Sequence, residues 1–206
     1  MWPLVVMFVF GTAITIWRLV VILIAMVNNK SLFKKVFKAL QNKENGLEEA
    51  LQICTKTPGP VASIVHAGLS RVHKGIDHVE KAVETAGTVE MAFLENGLMW
   101  LATIINIAPL LGFFGTVAGM IIAFKSIAAA GDVEPTIVAN GMSIALITTA
   151  GGLIVAIPMQ LAYNLCVYLI DKIVVSMEEN ASTFIETLVD LGYDKVETGT
   201  TSPTTK

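Results

Sequence analysis

Three stretches of this chain are apolar enough to leave water. Residues 2–27 are interrupted only by Arg18, and residues 98–124 and 135–170 contain no Asp, Glu, His, Lys or Arg. A hydrocarbon layer about 30 Å thick takes about 20 apolar residues in a helix, so each run predicts a transmembrane helix. The third exceeds that length and should tilt or protrude. Beyond Ile170 the pattern changes without a break. Ile173, Met177, Ala181, Phe184, Leu188 and Leu191 recur as one stripe, with Glu178, Glu179, Glu186 and Asp190 off it, so residues 171–191 should extend the third span as an amphipathic helix. That stripe needs a partner, either the helices around 61–94 of the same chain or a neighbouring copy. Residues 192–206 are polar and Thr-rich and read as a disordered tail.

The polar segment 28–97 predicts further helices over 31–40 and 46–56, with Pro58-Gly59-Pro60 as a breaker. Val61, Ile64, Val65, Gly68, Leu69 and Val72 then recur at helical spacing, and a second such pattern over 79–94 leads into the run 98–124. Residues 125–134 hold Lys125, Asp132 and Glu134 and read as a short loop joining the second and third spans. The fold expected is an all-α integral membrane protein with three transmembrane helices and a cytoplasmic helical domain.

Charge sets the expected orientation. Arg18, Lys30, Lys34, Lys35 and Lys38 hold the segment after the first span in the cytoplasm, while 125–134 is too poor in Lys and Arg to be retained there. The topology is therefore N-out and C-in, with 125–134 periplasmic. Arg18 reads as an anchor near the inner interface. A signal peptide is disfavoured, because no basic region precedes the first apolar run.

Of 206 residues 54% are hydrophobic and 15% charged, and mean hydropathy is +0.68, as in integral membrane proteins. The net charge of -3 argues against a nucleic-acid partner. Cys54 and Cys166 read as free thiols. His66, His73 and His78 are not at metal-ligand spacing, and no carboxylate or thiol cluster completes a metal site. No nucleophile–base pair or phosphate loop is present, so neither an enzyme nor a bound cofactor is expected.

Gly, Ala and Thr crowd the second and third spans. Small residues let helix backbones approach in lipid, where apolar contact alone gives no preference between partners. Gly115 and Gly119 form a GxxxG pair with Gly112 one turn earlier, and Gly141, Ala145, Thr149, Gly152 and Ala156 share a face of the third span. These two spans should pack closely as a hairpin. Pro109 and Pro158 each remove a helix hydrogen bond near the same membrane face and are candidate kinks.

Hydroxyls and amides are the polar groups within these spans. Thr116, Thr148 and Thr149 lie mid-span, Ser143 and Asn140 towards the outer end, and Gln160 and Asn164 towards the inner end. Two readings stand. Thr116, Thr149, Gln160 and Asn164, with Ser143 and Thr148 beside them, form a polar track for an ion. Alternatively, each hydroxyl back-bonds to a carbonyl one turn earlier. A proton relay needs a titratable group. The spans carry none, so either the chain conducts nothing or another chain brings the carboxylate.

The run Ala108-Pro-Leu-Leu-Gly-Phe-Phe-Gly-Thr-Val-Ala-Gly-Met resembles the MotA/TolQ/ExbB proton-channel family. So do the third-span run from Val138 through Thr148-Thr149 to Pro158, and Tyr163-Asn164. The match is nearest to the ExbB/TolQ branch, and it extends to the three spans and the Pro58-Gly-Pro turn. The resemblance implies a homopentameric stator in the bacterial inner membrane, surrounding the single spans of two ExbD/TolR-like subunits. An Asp on those spans carries the ion, and the work passes to a TonB- or TolA-like protein. The family's pore threonines fall on Thr116 and Thr149.

One position departs from the pattern. Many ExbB and TolQ proteins have a Glu five residues before the second threonine, where this chain has Ile144, after Ser143. A non-conducting membrane scaffold of the same fold is therefore the alternative to an ion-driven motor subunit. A solute transporter is disfavoured by the lack of inverted repeats and of midplane binding residues.

Overall fold

In a computed structural model of the chain, residues 2–27, 29–40, 46–130 and 135–192 are described, and every regular element among them is helical. The elements are α1 (Trp2–Val27), α2 (Asn29–Leu40), α3 (Gly46–Lys56), α4 (Pro60–Leu69), a 3-10 turn at Val72–Lys74, α5 (Ile76–Glu95), α6 (Leu98–Ala130) and α7 (Pro135–Asp190). Three stretches are long and apolar enough to cross a membrane: Trp2–Met26, the apolar part of Ile76–Ala129, and the apolar part of Val138–Asp190.

Two boundaries differ from those expected. Residues 125–130, assigned above to the interspan loop, are helical and continue α6. After Lys125 and Ser126 the chain reads Ile-Ala-Ala-Ala, and alanine is the best helix former, so helix propagates until the glycine at 131. Residues 131–134 and the tail 193–206 lie outside the described residues. Residues 135–170 and 171–191 fall largely in one helix, α7, which runs unbroken through Pro158. Pro109 likewise lies inside α6.

Punctuation follows local chemistry. Gly59 has φ 148, and Pro60 opens α4 at its first turn, where a missing N–H costs nothing. Gly97 has φ 89. Only glycine adopts that conformation without strain, and it ends α5 so that α6 can start afresh, with Trp100 N–H donating to the Gly97 carbonyl at 3.2 Å.

The chain divides into two compact units. One comprises Met1–Leu19 and Asn96–Val167, the other Val20–Glu95 and Tyr168–Lys206. In the second, the apolar stripe of α7 finds its partner within the chain. Ile173, Met177, Phe184 and Leu188 are buried. Gly68 of α4 lies so close to α7 and α5 that a Cβ there would sit 2.6 Å from the Phe184 ring and 2.9 Å from Val83. Val61, Val65 and Leu69 of α4 and Val79 of α5 join this core.

Candidate functional site

The first unit is built on the pairing of α6 with α7. A Cβ on Gly112 would lie 3.0 Å from the Thr148 carbonyl and 3.1 Å from Thr149 Cα; one on Gly119 would lie 3.2 Å from Ala145 Cβ. A Cβ on Gly152 would meet the Ala108 carbonyl at 2.6 Å, one on Gly115 would run into the Thr148 side chain, and one on Gly141 would overlap Ala123 Cβ. These small residues are what allow backbone-to-backbone approach. Ala123 is a contributor that the sequence reading missed, although it lies one turn beyond Gly119 on the same stripe.

Helix α1 packs on one flank of this pair. Leu4 joins Ile104, Ala108, Val155, Ala156 and Met159 in a buried cluster. Gly11, also missed, admits Met159: a Cβ there would sit 2.9 Å from its sulfur. Thr15 Oγ1 lies 3.9 Å from the same sulfur. At about 100° per residue, Thr149 lies about 120° round α7 from Val155, and Thr116 about 120° round α6 from Ile104. Both threonines thus border the flank away from α1, and both are half-buried.

The hydroxyls behave differently from one another. Thr149 Oγ1 donates across the helix pair to the Gly112 carbonyl at 3.3 Å. Thr116 Oγ1 donates within its own helix to the Phe113 carbonyl at 2.6 Å, and Thr148 Oγ1 to the Ala145 carbonyl at 2.7 Å. Gln160 Nε2 donates to Asn164 Oδ1 at 2.9 Å, one turn along α7. Both amides are exposed, as is Ser143. Thr116, Thr148 and Thr149 therefore cluster around Gly112 and Gly115. By helical rise, Gln160 begins a separate station about 16 Å from Thr149. Ile144 is 57% exposed on the chain surface.

Arg18 is covered by its own chain. It is only 6% exposed, and its Cδ would lie 3.3 Å from a Cβ on Gly97. The close approach of that glycine covers the stem of the side chain. Cys54 and Cys166 are both buried free thiols, and burial pushes the Cys54 thiol up to about 11. His66, His73 and His78 are exposed, and no group of three or more His, Cys, Asp or Glu among the described residues could hold a metal ion.

The paired helices, whose apolar spans 98–124 and 135–170 carry no charge, lie with their clustered hydroxyls within a wider similarity. Residues 56–179 match the MotA/TolQ/ExbB proton channel family. A biopolymer transport protein ExbB homologue of Methanothermobacter thermautotrophicus is 33% identical over 151 residues, covering 73% of this chain and 52% of the relative. The Tol-Pal system protein TolQ of Haemophilus influenzae is 33% identical over 130 residues, 63% of this chain and 57% of its own length. The biopolymer transport protein exbB1 of Vibrio cholerae is 47% identical over 64 residues, 31% of this chain and 28% of its own. The chain thus spans little more than half the length of the first two of these relatives. With the match taking in α4, α5, α6 and most of α7, and with relatives of both names, this membrane protein belongs to the MotA/TolQ/ExbB proton channel family, in its ExbB/TolQ-like branch.

Proposed function

We propose that the chain is a ring-forming stator subunit of an ion-driven motor in the bacterial inner membrane. Five copies surround the single spans of two ExbD/TolR-like subunits, and proton or sodium flow is coupled to work on a TonB- or TolA-like protein. The spans run N-out and C-in, so the segment with α2–α5 and the distal part of α7 is cytoplasmic and the residues joining α6 to α7 periplasmic. The flank of α6 and α7 that faces away from α1 lines the ion path. The observation that carries this reading is the pairing of Thr149 with Gly112 beside Thr116. It sets hydroxyls at an edge of the helix pair that α1 does not occupy, within spans that carry no charge of their own.

The division of labour follows. Thr116, Thr149 and Thr148, with Ser143 towards the outer end and Gln160 and Asn164 towards the inner end, offer neutral oxygens and water sites. The titrating carboxylate comes from the partner span, because a proton carrier needs an ionisable group. A non-conducting scaffold of the same fold is the second reading. It is favoured by Ile144 in place of the Glu of many relatives, and by the back-bonded hydroxyls of Thr116 and Thr148.

The experiment is co-purification with an ExbD/TolR-like single-span protein, subunit counting, and conductance in liposomes under separate proton and sodium gradients. A pentamer with two partner spans and a current lost in Thr149→Val is expected. An assembled complex with no current in either gradient overturns the motor and leaves the scaffold.

A further inference from the structure

Two surface grooves in the second unit run into one another, and their chemistry changes from one end to the other. The first, of about 420 Å³, is bordered by Val21, Ile24 and Ala25 of α1, together with Phe93 and Leu94 of α5. Those α1 residues belong to the membrane-crossing stretch Trp2–Met26. The second, of about 610 Å³, lies between α4 and α5, and its far end carries Arg71, His78 and Lys81. Both grooves share Ser63, His66 and Glu90, so they meet at the height of the first turns of α4.

We infer that this continuous groove binds one anionic glycerophospholipid, with an acyl chain at the α1 end and the phosphate between Arg71 and Lys81. The occupant follows from the sequence of chemistries. A purely soluble anion has no use for the Val21, Ile24 and Phe93 end, and a neutral lipid none for two cations. Ala67, Ala82 and Ala86 border the second groove, and these small side chains leave the room a headgroup needs. Arg71 and Lys81 have no carboxylate partner among the described residues, and both are exposed. Their long stems can lie along the groove while their heads meet a phosphate. Arg71 supplies the forked donor set that suits phosphate.

Neighbouring groups agree with that placement. Ser70 Oγ already donates to the His66 carbonyl at 2.8 Å, and Thr85 Oγ1 to the Lys81 carbonyl at 2.8 Å. At the far end of the second groove the donors left for an anion are therefore the basic side chains. Among the described residues, Glu90 is the one carboxylate bordering either groove, and it stands at the apolar end of α5's share. Its repulsion moves the phosphate towards Arg71. By helical rise, Lys81 is about 14 Å along α5 from Glu90, within the reach of a glycerophosphate met by extended Arg and Lys side chains.

The test uses the full-length protein in detergent, titrated with dioleoyl phosphatidylglycerol, dioleoyl phosphatidylcholine, glycerol phosphate or inorganic phosphate, with bound lipid counted by native mass spectrometry. Phosphatidylglycerol should be retained in preference to phosphatidylcholine. Removing both charges in Arg71→Gln/Lys81→Gln should weaken it about thirtyfold, at about tenfold or less per cation near a membrane surface. Ile24→Asn should weaken the lipid while leaving the soluble phosphates unaffected. Equal retention of the two lipids, or unchanged phosphatidylglycerol binding in the double variant, overturns the site. Displacement of phosphatidylglycerol by inorganic phosphate at equal concentration overturns its apolar half. A change of subunit number in the double variant with lipid binding intact would instead make the groove a contact between copies and also overturn the inference. None of these readouts depends on ion conduction, so failure here is separable from failure of the motor reading.

Discussion

Thr149 Oγ1 on α7 donates to the Gly112 carbonyl on α6 at 3.3 Å, and of the three clustered threonines it is the one that reaches across the helix pair. Interhelical hydrogen bonds in membrane proteins average only about 0.6 kcal/mol. Loss of this one should scarcely affect packing. Thr149→Val keeps the shape of the side chain and removes the hydroxyl. We expect full assembly by native mass spectrometry, a melting temperature in detergent close to wild type, and loss of ion-driven activity. Wild-type activity in the variant would remove Thr149 from the path.

Ile144 is 57% exposed. Its side chain contributes little to the packing of this chain, and as an apolar group it has nothing to offer an ion. Ile144→Ala should therefore be mild, with activity within about threefold of wild type, well short of the tenfold that 1.4 kcal/mol would give. A severe loss in a conductance or growth assay would show that a side chain of this size is needed there.

The glycines of the hairpin and a glycine of α5 should respond in opposite directions to one added methyl. At Gly112 a Cβ would be 3.0 Å from the Thr148 carbonyl and 3.1 Å from Thr149 Cα. These are backbone atoms that yield only if the helices separate, so Gly112→Ala should cost about 1–3 kcal/mol. At Gly87 the nearest atom is Ile64 Cδ1 at 3.9 Å, an ordinary contact. Gly87→Ala should stabilise α5 by about 0.5–1 kcal/mol. Thermal melts of both variants in one detergent check the pair of signs.

The same contrast explains what could be read from the chain alone. The spans, the Pro58-Gly59-Pro60 break and the extension of the third helix were legible, because apolar period and helix breakers are local signals. The stripe Ile173, Met177, Phe184 and Leu188 announced that it needed a partner, but not whose. The close approach of Gly68 to Phe184 answers that it is this chain's own α4. The helical end of α6 was missed because Lys125 looked like a loop marker, while the alanines after it propagate helix. The partners of the hydroxyls were legible in part: Thr116 and Thr148 back-bond about one turn earlier, as one of the two readings had it, whereas the bond of Thr149 across the pair was not foreseen. Thr116, Thr148 and Thr149 have the same side chain, and only the backbone separation at Gly112 decides which of them bonds across. The cover over Arg18 was not legible for a related reason, since it comes from Gly97, distant in sequence.

Cys54 gives a pH prediction. Its thiol is buried, and burial raises it from 9.0 to about 11. The folded state therefore holds its proton where the unfolded chain has lost it. Between those two values the unfolded state binds fewer protons, so stability falls as pH rises from about 9 towards about 11. Below about 9 both states are protonated and the thiol contributes no slope. At pH 8, a shift of about two units lowers the thiolate fraction about a hundredfold, and the thiolate is the nucleophile. Native protein should react with iodoacetamide at Cys54 at least that much more slowly than denatured protein. In Cys54→Ala the alkaline loss of stability between pH 9 and 11 should be shallower by the contribution of this one group, measured as melting temperature against pH. Rapid alkylation of Cys54 in the folded protein at pH 8 would show that the α3–α4 corner opens on the timescale of labelling.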